Sequence, residues 1–275
     1  MREVLEAALA AEAAGTPAAM VTVVSTSGST PQKAGARMLV RGDGSIVGTI
    51  GGGCLEAEMT WRAREAITAR RSKLVAYDLT PDQAGDDGLV CGGRMQVFIE
   101  PVEGTPCLCL FGAGHVAQPL ARMAKACGFR VEVADDRIKF ANAERFPDAD
   151  RIVVDDVAAA AEKLSLGPNA YAVIVTRGHK GDGEALRAVV GRGLRFVGLL
   201  GSKPKVVHIF AALKEEGVPA EDLARVHAPI GLSIGAVSPE EIAVSILAEM
   251  IAVRRGVDPA GSASMRMALP GRLAT

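Results

Sequence analysis

The chain has 275 residues, room for one large or two modest domains with a well-buried core. Half the residues are hydrophobic (49%) and the net charge is -1, which argues against a nucleic-acid partner or an anionic membrane surface. Five cysteines suit a reducing compartment better than a disulfide framework, and no transmembrane span or signal-peptide core is legible, so a cytoplasmic globular protein is expected.

In chain order, residues 2–14 read as a helix rich in Ala and Glu, and 19–25 as a strand. The loop Ser27-Gly28-Ser29-Thr30-Pro31 follows. A hairpin is expected from 36–40 and 46–50 around Gly42-Asp43-Gly44. Leu55, Met59, Ala63, Ala66 and Ile67 then mark one face of a helix over 54–70. Residues 73–79 form a strand, 81–88 a polar loop with Asp82, Asp86 and Asp87, and 95–100 a closing strand. After Glu103-Gly104-Thr105-Pro106 the pattern becomes an alternation: strands at 107–111, 130–135, 170–175 and 195–200, helices at 116–127, 184–190 and 203–216. That rhythm predicts a parallel sheet with crossover helices. Ser238-Pro239-Glu240-Glu241 carries a capping box for a last helix to about Arg255. The expected fold is α/β: an N-terminal α+β domain over 1–103, then a Rossmann-like doubly wound parallel-sheet domain with C-terminal helices over 104–255, then a flexible tail over 256–275.

Two glycine-flanked thiols stand out in the first half. Gly51-Gly52-Gly53 delivers Cys54 to a helix start, where unpaired N–H groups and the positive end of the helix dipole suit an anion. A thiol placed there is shifted toward thiolate, the form that binds soft metals or carries sulfur. The alternative is a tight turn and a small buried Cys. Cys91-Gly92-Gly93 offers a second such thiol. Cys107, Cys109 and Cys127 read as packing. The first two share a strand face about 6–7 Å apart, too far to ligate one ion undistorted, and Cys127 falls on an apolar helix stripe.

In the second half, Gly112-Ala113-Gly114-His115-Val116-Ala117 sits between a strand and a helix, with Asp135 ending the next strand. This is the dinucleotide-binding pattern: Gly112 makes the turn, Gly114 admits a pyrophosphate, Asp135 serves a ribose, and Arg137 leaves a 2′-phosphate open. His115 would lie near the phosphate or simply face solvent. Arg177 and His179, in Thr176-Arg177-Gly178-His179, should reach the same sheet edge as a phosphate ligand and an acid–base group, or else organise the loop. Ser202, in Gly201-Ser202-Lys203, repeats that geometry.

Together these segments resemble the XdhC/CoxI family of xanthine dehydrogenase accessory factors. The resemblance is carried by Gly28-Ser29-Thr30-Pro31 with Gly35-Ala36-Arg37-Met38, Gly48-Thr49-Ile50-Gly51-Gly52-Gly53-Cys54-Leu55-Glu56, Cys91-Gly92-Gly93, Gly112-Ala113-Gly114-His115-Val116-Ala117, Thr176-Arg177-Gly178-His179, Gly198-Leu199-Leu200-Gly201-Ser202, and Pro229-Ile230-Gly231-Leu232 with Ser238-Pro239-Glu240-Glu241. It implies a chaperone that binds molybdenum cofactor (molybdopterin or its nucleotide form), and thiolate chemistry makes Cys54 and Cys91 the thiols placed to meet the metal or carry sulfur. It further implies sulfuration and insertion into a xanthine dehydrogenase- or CO dehydrogenase-type apoenzyme; a cysteine desulfurase as donor and a homodimer are expected partners. An NAD(P)-dependent oxidoreductase with His179 as acid–base, or a nucleotide-binding scaffold, are the alternatives.

Overall fold

A computed structural model describes residues 1–79 and 92–259, with the side chain of His179 outside that description. The loop expected at 81–88, Cys91, and the tail from 260 onward therefore lie outside the described residues. The chain divides into two compact units, Met1–Thr105 and a second beginning at Pro106.

The first unit is an antiparallel sheet with one helix on each face. Its strands are β1 (Ala18–Ser27), β2 (Arg37–Arg41), β3 (Ile46–Gly48), β4 (Lys73–Asp78) and β5 (Arg94–Val102), in the order β3-β2-β1-β5-β4. Alternation assigns the faces. Ala19, Val21, Val23, Met38 and Val40 pack with Leu55, Met59 and Ala63 of α2 (Gly53–Ala69). Ala18 and Leu39 turn the other way, onto Val4 and Ala11 of α1 (Arg2–Ala14). The third strand ends at Gly48, two residues earlier than its pattern suggests, because Thr49 and Ile50 join the loop that leads into α2.

The second unit is a parallel sheet of β6 (Cys107–Phe111), β7 (Arg130–Ala134), β8 (Arg151–Val153), β9 (Ala170–Ile174) and β10 (Phe196–Leu199), ordered β10-β9-β6-β7-β8. That is the Rossmann order, with its switch point between β6 and β9. One face carries α3 (Ala117–Ala126) and α8 (Pro239–Arg254), whose Leu120, Ala124, Ala243, Ile246 and Met250 cover Leu108, Leu110, Val131 and Val133. The other carries α4 (Val157–Lys163), α5 (His179–Val189) and α6 (Lys203–Glu215) over Cys109, Phe111, Ala172 and Ile174. A short α7 (Ala220–Leu223) follows α6. The expected capping box is present: Ser238 Oγ accepts the Glu241 N–H, and the Glu241 carboxylate accepts the Ser238 N–H.

Candidate functional site

In the first unit the loop after β1 gathers three glycine-bearing segments. A Cβ on Gly28 would lie 3.1 Å from Gly93 Cα, and one on Gly93 would lie 2.7 Å from the Ser27 carbonyl. A Cβ on Gly51 would strike Pro31 at 2.5 Å. Residues 28–31 thus touch both Gly92–Gly93 and the Gly51–Gly53 run, and close packing explains Gly28, Gly51 and Gly93. Gly52 and Gly53 are different: a side chain there would meet nothing within 4 Å. Their requirement is backbone shape, φ 77° and 59°, which bends the chain into α2 while leaving open space.

At the head of that helix no side chain caps Gly52, and Cys54 is exposed. The buried-Cys alternative is therefore wrong. An internal anion also sits in the loop. The Glu56 carboxylate accepts from the Thr49 hydroxyl at 2.5 Å and from the Ile50 N–H at 3.1 Å. Burial pushes the Glu56 pKa up, but Thr49 and the N–H groups of Gly52, Ile50 and Gly51 outweigh it and hold it below its usual value. Glu56 stands in the motif without an expected role; an acidic residue in the first turn after a glycine run is the signal that points to one. Across from Cys54, the Tyr77 phenol is pushed up by burial, then by Cys54 and Glu58.

In the second unit an open crevice of about 410 Å³ lies at the carboxyl ends of β6, β7 and β9. Of the expected residues it collects Gly112, Asp135 and Arg177, but not Gly114, His115 or Ser202. His115 is exposed in the turn before α3, and Ser202 is exposed at the start of α6 without a capping bond. His179 is the first residue of α5.

The two glycines of the turn do different work. Gly112 has φ 110°, and a Cβ there would lie 2.5 Å from the Val175 carbonyl oxygen. At Gly114 a Cβ would meet nothing within 4 Å, so the fold leaves that approach clear. Asp135 is already engaged. One oxygen accepts the Ala113 N–H at 2.8 Å and the Arg137 Nη2 at 2.8 Å, and the other accepts the Arg137 N–H and Nε. Burial raises its pKa, while Arg137 and the two N–H groups lower it further, so it stays ionised and clamps the glycine turn. Arg177 pairs with Asp136 at 2.8 Å, a partner missed in the run Asp135-Asp136-Arg137.

The remaining cysteines depart from expectation twice. The Cys107 and Cys109 sulfurs are 3.8 Å apart, because the two side chains converge along the strand. Cys127 is exposed at the end of α3 rather than buried in its stripe.

Residues 108–250, more than half of the chain, match the XdhC Rossmann domain. The chain belongs to the XdhC/CoxI family. Residues 11–78 match the XdhC and CoxI family domain as well. A relative from Escherichia coli K12, the uncharacterized protein YqeB, is 40% identical over 86% of this chain, which spans only 44% of YqeB's length. A probable xanthine dehydrogenase subunit from Bacillus subtilis is 25% identical over 87% of this chain and 94% of its own. The molybdenum cofactor insertion chaperone PaoD from E. coli K12 is 22% identical over 92% and 88%. A crystal structure of a xanthine dehydrogenase from Bacillus halodurans aligns with a TM-score of 0.51 at 26% identity, covering 94% of this chain and 98% of that one. Among the described residues no helix is long and apolar enough to cross a membrane.

Proposed function

We propose that this XdhC-family chain binds molybdenum cofactor in its first unit, holds it during sulfuration, and delivers it to a xanthine dehydrogenase-type apoenzyme. The observation that carries the reading is the exposed Cys54 at an uncapped helix start, beside glycines whose open side faces no protein atom. The names of two relatives, one a molybdenum cofactor insertion chaperone and the other a probable component of xanthine dehydrogenase, point the same way.

The residues fit such a ligand. The cofactor supplies a phosphate-bearing pterin and a molybdenum centre whose terminal ligand is open to exchange. The N–H groups of the first turn of α2 would hold the phosphate. Cys54 would approach the metal or take sulfur from a cysteine desulfurase, with Cys91, next in sequence to Gly92, as the second thiol. Glu56 shapes the loop by binding Thr49 and Ile50 and drawing on the Gly51 and Gly52 N–H groups, so an external anion would be left the N–H groups of Gly53 and Cys54. The same chemistry would serve a CO dehydrogenase-type client, and we assign the working form to a cytoplasmic homodimer.

Cys54→Ser is expected to lower cofactor retention and client activation at least tenfold while leaving the melting temperature within about 2 °C, since an exposed side chain changes by one atom. Client activation unchanged in both Cys54→Ser and Cys91→Ser would contradict the assignment.

A second reading, nucleotide or NAD(P) binding at the glycine turn of the second unit, is supported by Gly114, which is glycine with no packing reason. Titration followed by reduced nicotinamide fluorescence tests it.

A further inference from the structure

Cys107, Cys109 and Glu132 belong to the strands of the same parallel sheet but do not line the crevice. Cys107 and Cys109 sit on β6, and Glu132 is the β7 residue in register with Cys109. All three are buried (4%, 0% and 2% exposed), and their ligand atoms lie within 4.8 Å of one another. Nothing in the crevice or in the glycine–thiol site uses them.

We propose that Cys107, Cys109 and Glu132 bind one divalent, thiophilic d10 cation of the zinc type. Three observations carry this. First, two metal–sulfur bonds of about 2.3 Å at a tetrahedral angle span a sulfur–sulfur distance of about 3.8 Å, and the two sulfurs are 3.8 Å apart. A linear two-thiolate ion would hold them near twice a bond length, on the order of 4.6 Å.

Second, the carboxylate is held in place by its neighbours. Glu132 accepts from the Ser165 N–H at 2.8 Å, the Ser165 hydroxyl at 2.7 Å and Arg130 at 3.2 Å. Such outer bonds orient a metal-binding carboxylate, and here they leave one lone pair, on Oε2, to donate.

Third, the charges close. Two thiolates and one carboxylate carry three negative charges, and the cation with the Arg130 guanidinium carries three positive ones. Binding replaces two S–H protons by the metal: M²⁺ plus two thiols gives the dithiolate complex and two protons. Sulfur donors exclude magnesium and calcium, which take oxygen ligands.

The competing use of two such thiols is a disulfide, and the strand opposes it. A disulfide needs Cβ atoms about 3.5–4.5 Å apart, whereas alternate residues of an extended strand are spaced at about 6–7 Å. The strand is paired on both sides, with β7 and β9, so its backbone cannot shorten without breaking two ladders. A bridging ion needs no such movement.

The test uses the full chain with Cys54, Cys91 and Cys127 changed to Ser, so that only this pair of thiols remains. Stripped of metal and loaded with one equivalent of Zn²⁺, it should show two sulfur neighbours at about 2.3 Å by X-ray absorption. Co²⁺ in place of Zn²⁺ should give an intense thiolate-to-metal absorption band, lost in Cys109→Ala and at least tenfold weaker in affinity in Glu132→Gln. Absence of bound zinc, a coordination shell with fewer than two sulfurs, or a cobalt band that survives Cys109→Ala would overturn the proposal. The absorption measurement on the parent protein stands even if a variant fails to fold.

Discussion

Gly112→Val is expected to destabilise the second unit strongly, while Gly114→Val should leave its stability nearly unchanged. At position 112 the new side chain must adopt φ 110°, which β-branched residues avoid, and place a Cβ 2.5 Å from the Val175 carbonyl oxygen. Roughly 1–2 kcal/mol for the backbone and about 1–3 for overpacking consume a large share of a stability on the order of 5–15 kcal/mol. At position 114 the backbone is not in the left-handed region and the added atoms enter open space. Thermal melts should therefore separate the two variants. Equal losses of melting temperature would mean that Gly114 is structural after all.

The second large effect is expected at Glu249, a buried carboxylate on α8 that ties the segment after β10 to the core. Its oxygens meet His227 Nδ1 at 2.9 Å and the Gly231 N–H at 2.6 Å. His227 in turn stacks on Phe196 at 4.4 Å and bridges to Gly198 of β10. Glu249→Ala removes a charged acceptor from both donors and leaves a void, at a cost of about 3–5 kcal/mol. A protein of this size should then melt roughly 10 °C lower. Glu249→Gln keeps the shape and one acceptor, so it should lose no more than about half of that. Equal effects of the two substitutions would show that packing, not the charged hydrogen bonds, is what Glu249 contributes.

The sequence reveals most clearly those features that local chemistry dictates. Gly112 and Ala117 frame a strand–turn–helix unit, and Ser238 with Glu241 starts the last helix as expected. What is hidden depends on partners distant in the chain. The three-residue β8 and the short α4 and α7 carry too few residues to show a period. The fifth helix begins at His179, five residues before its apparent start, because Gly181 and Gly183 mask the pattern. Its first turn is secured by partners outside the helix, the Thr176 hydroxyl and Lys205, which hold the buried Asp182. In the site, residues 51–54 announce a helix start rich in glycine, but the grip of Glu56 on Thr49 and Ile50 appears only once the loop has closed. The convergence of Cys107 and Cys109 was likewise invisible, since strand spacing fixes Cα positions and not where two thiols lean.

Everything proposed for the first unit turns on whether it holds the pterin. The direct measurement is equilibrium binding of purified molybdenum cofactor to the wild-type chain, read by pterin fluorescence of the acid-oxidised complex after gel filtration. Close to one pterin per chain is expected, falling sharply in Cys54→Ser at unchanged melting temperature. Folded protein that carries no pterin after incubation with free cofactor would contradict it.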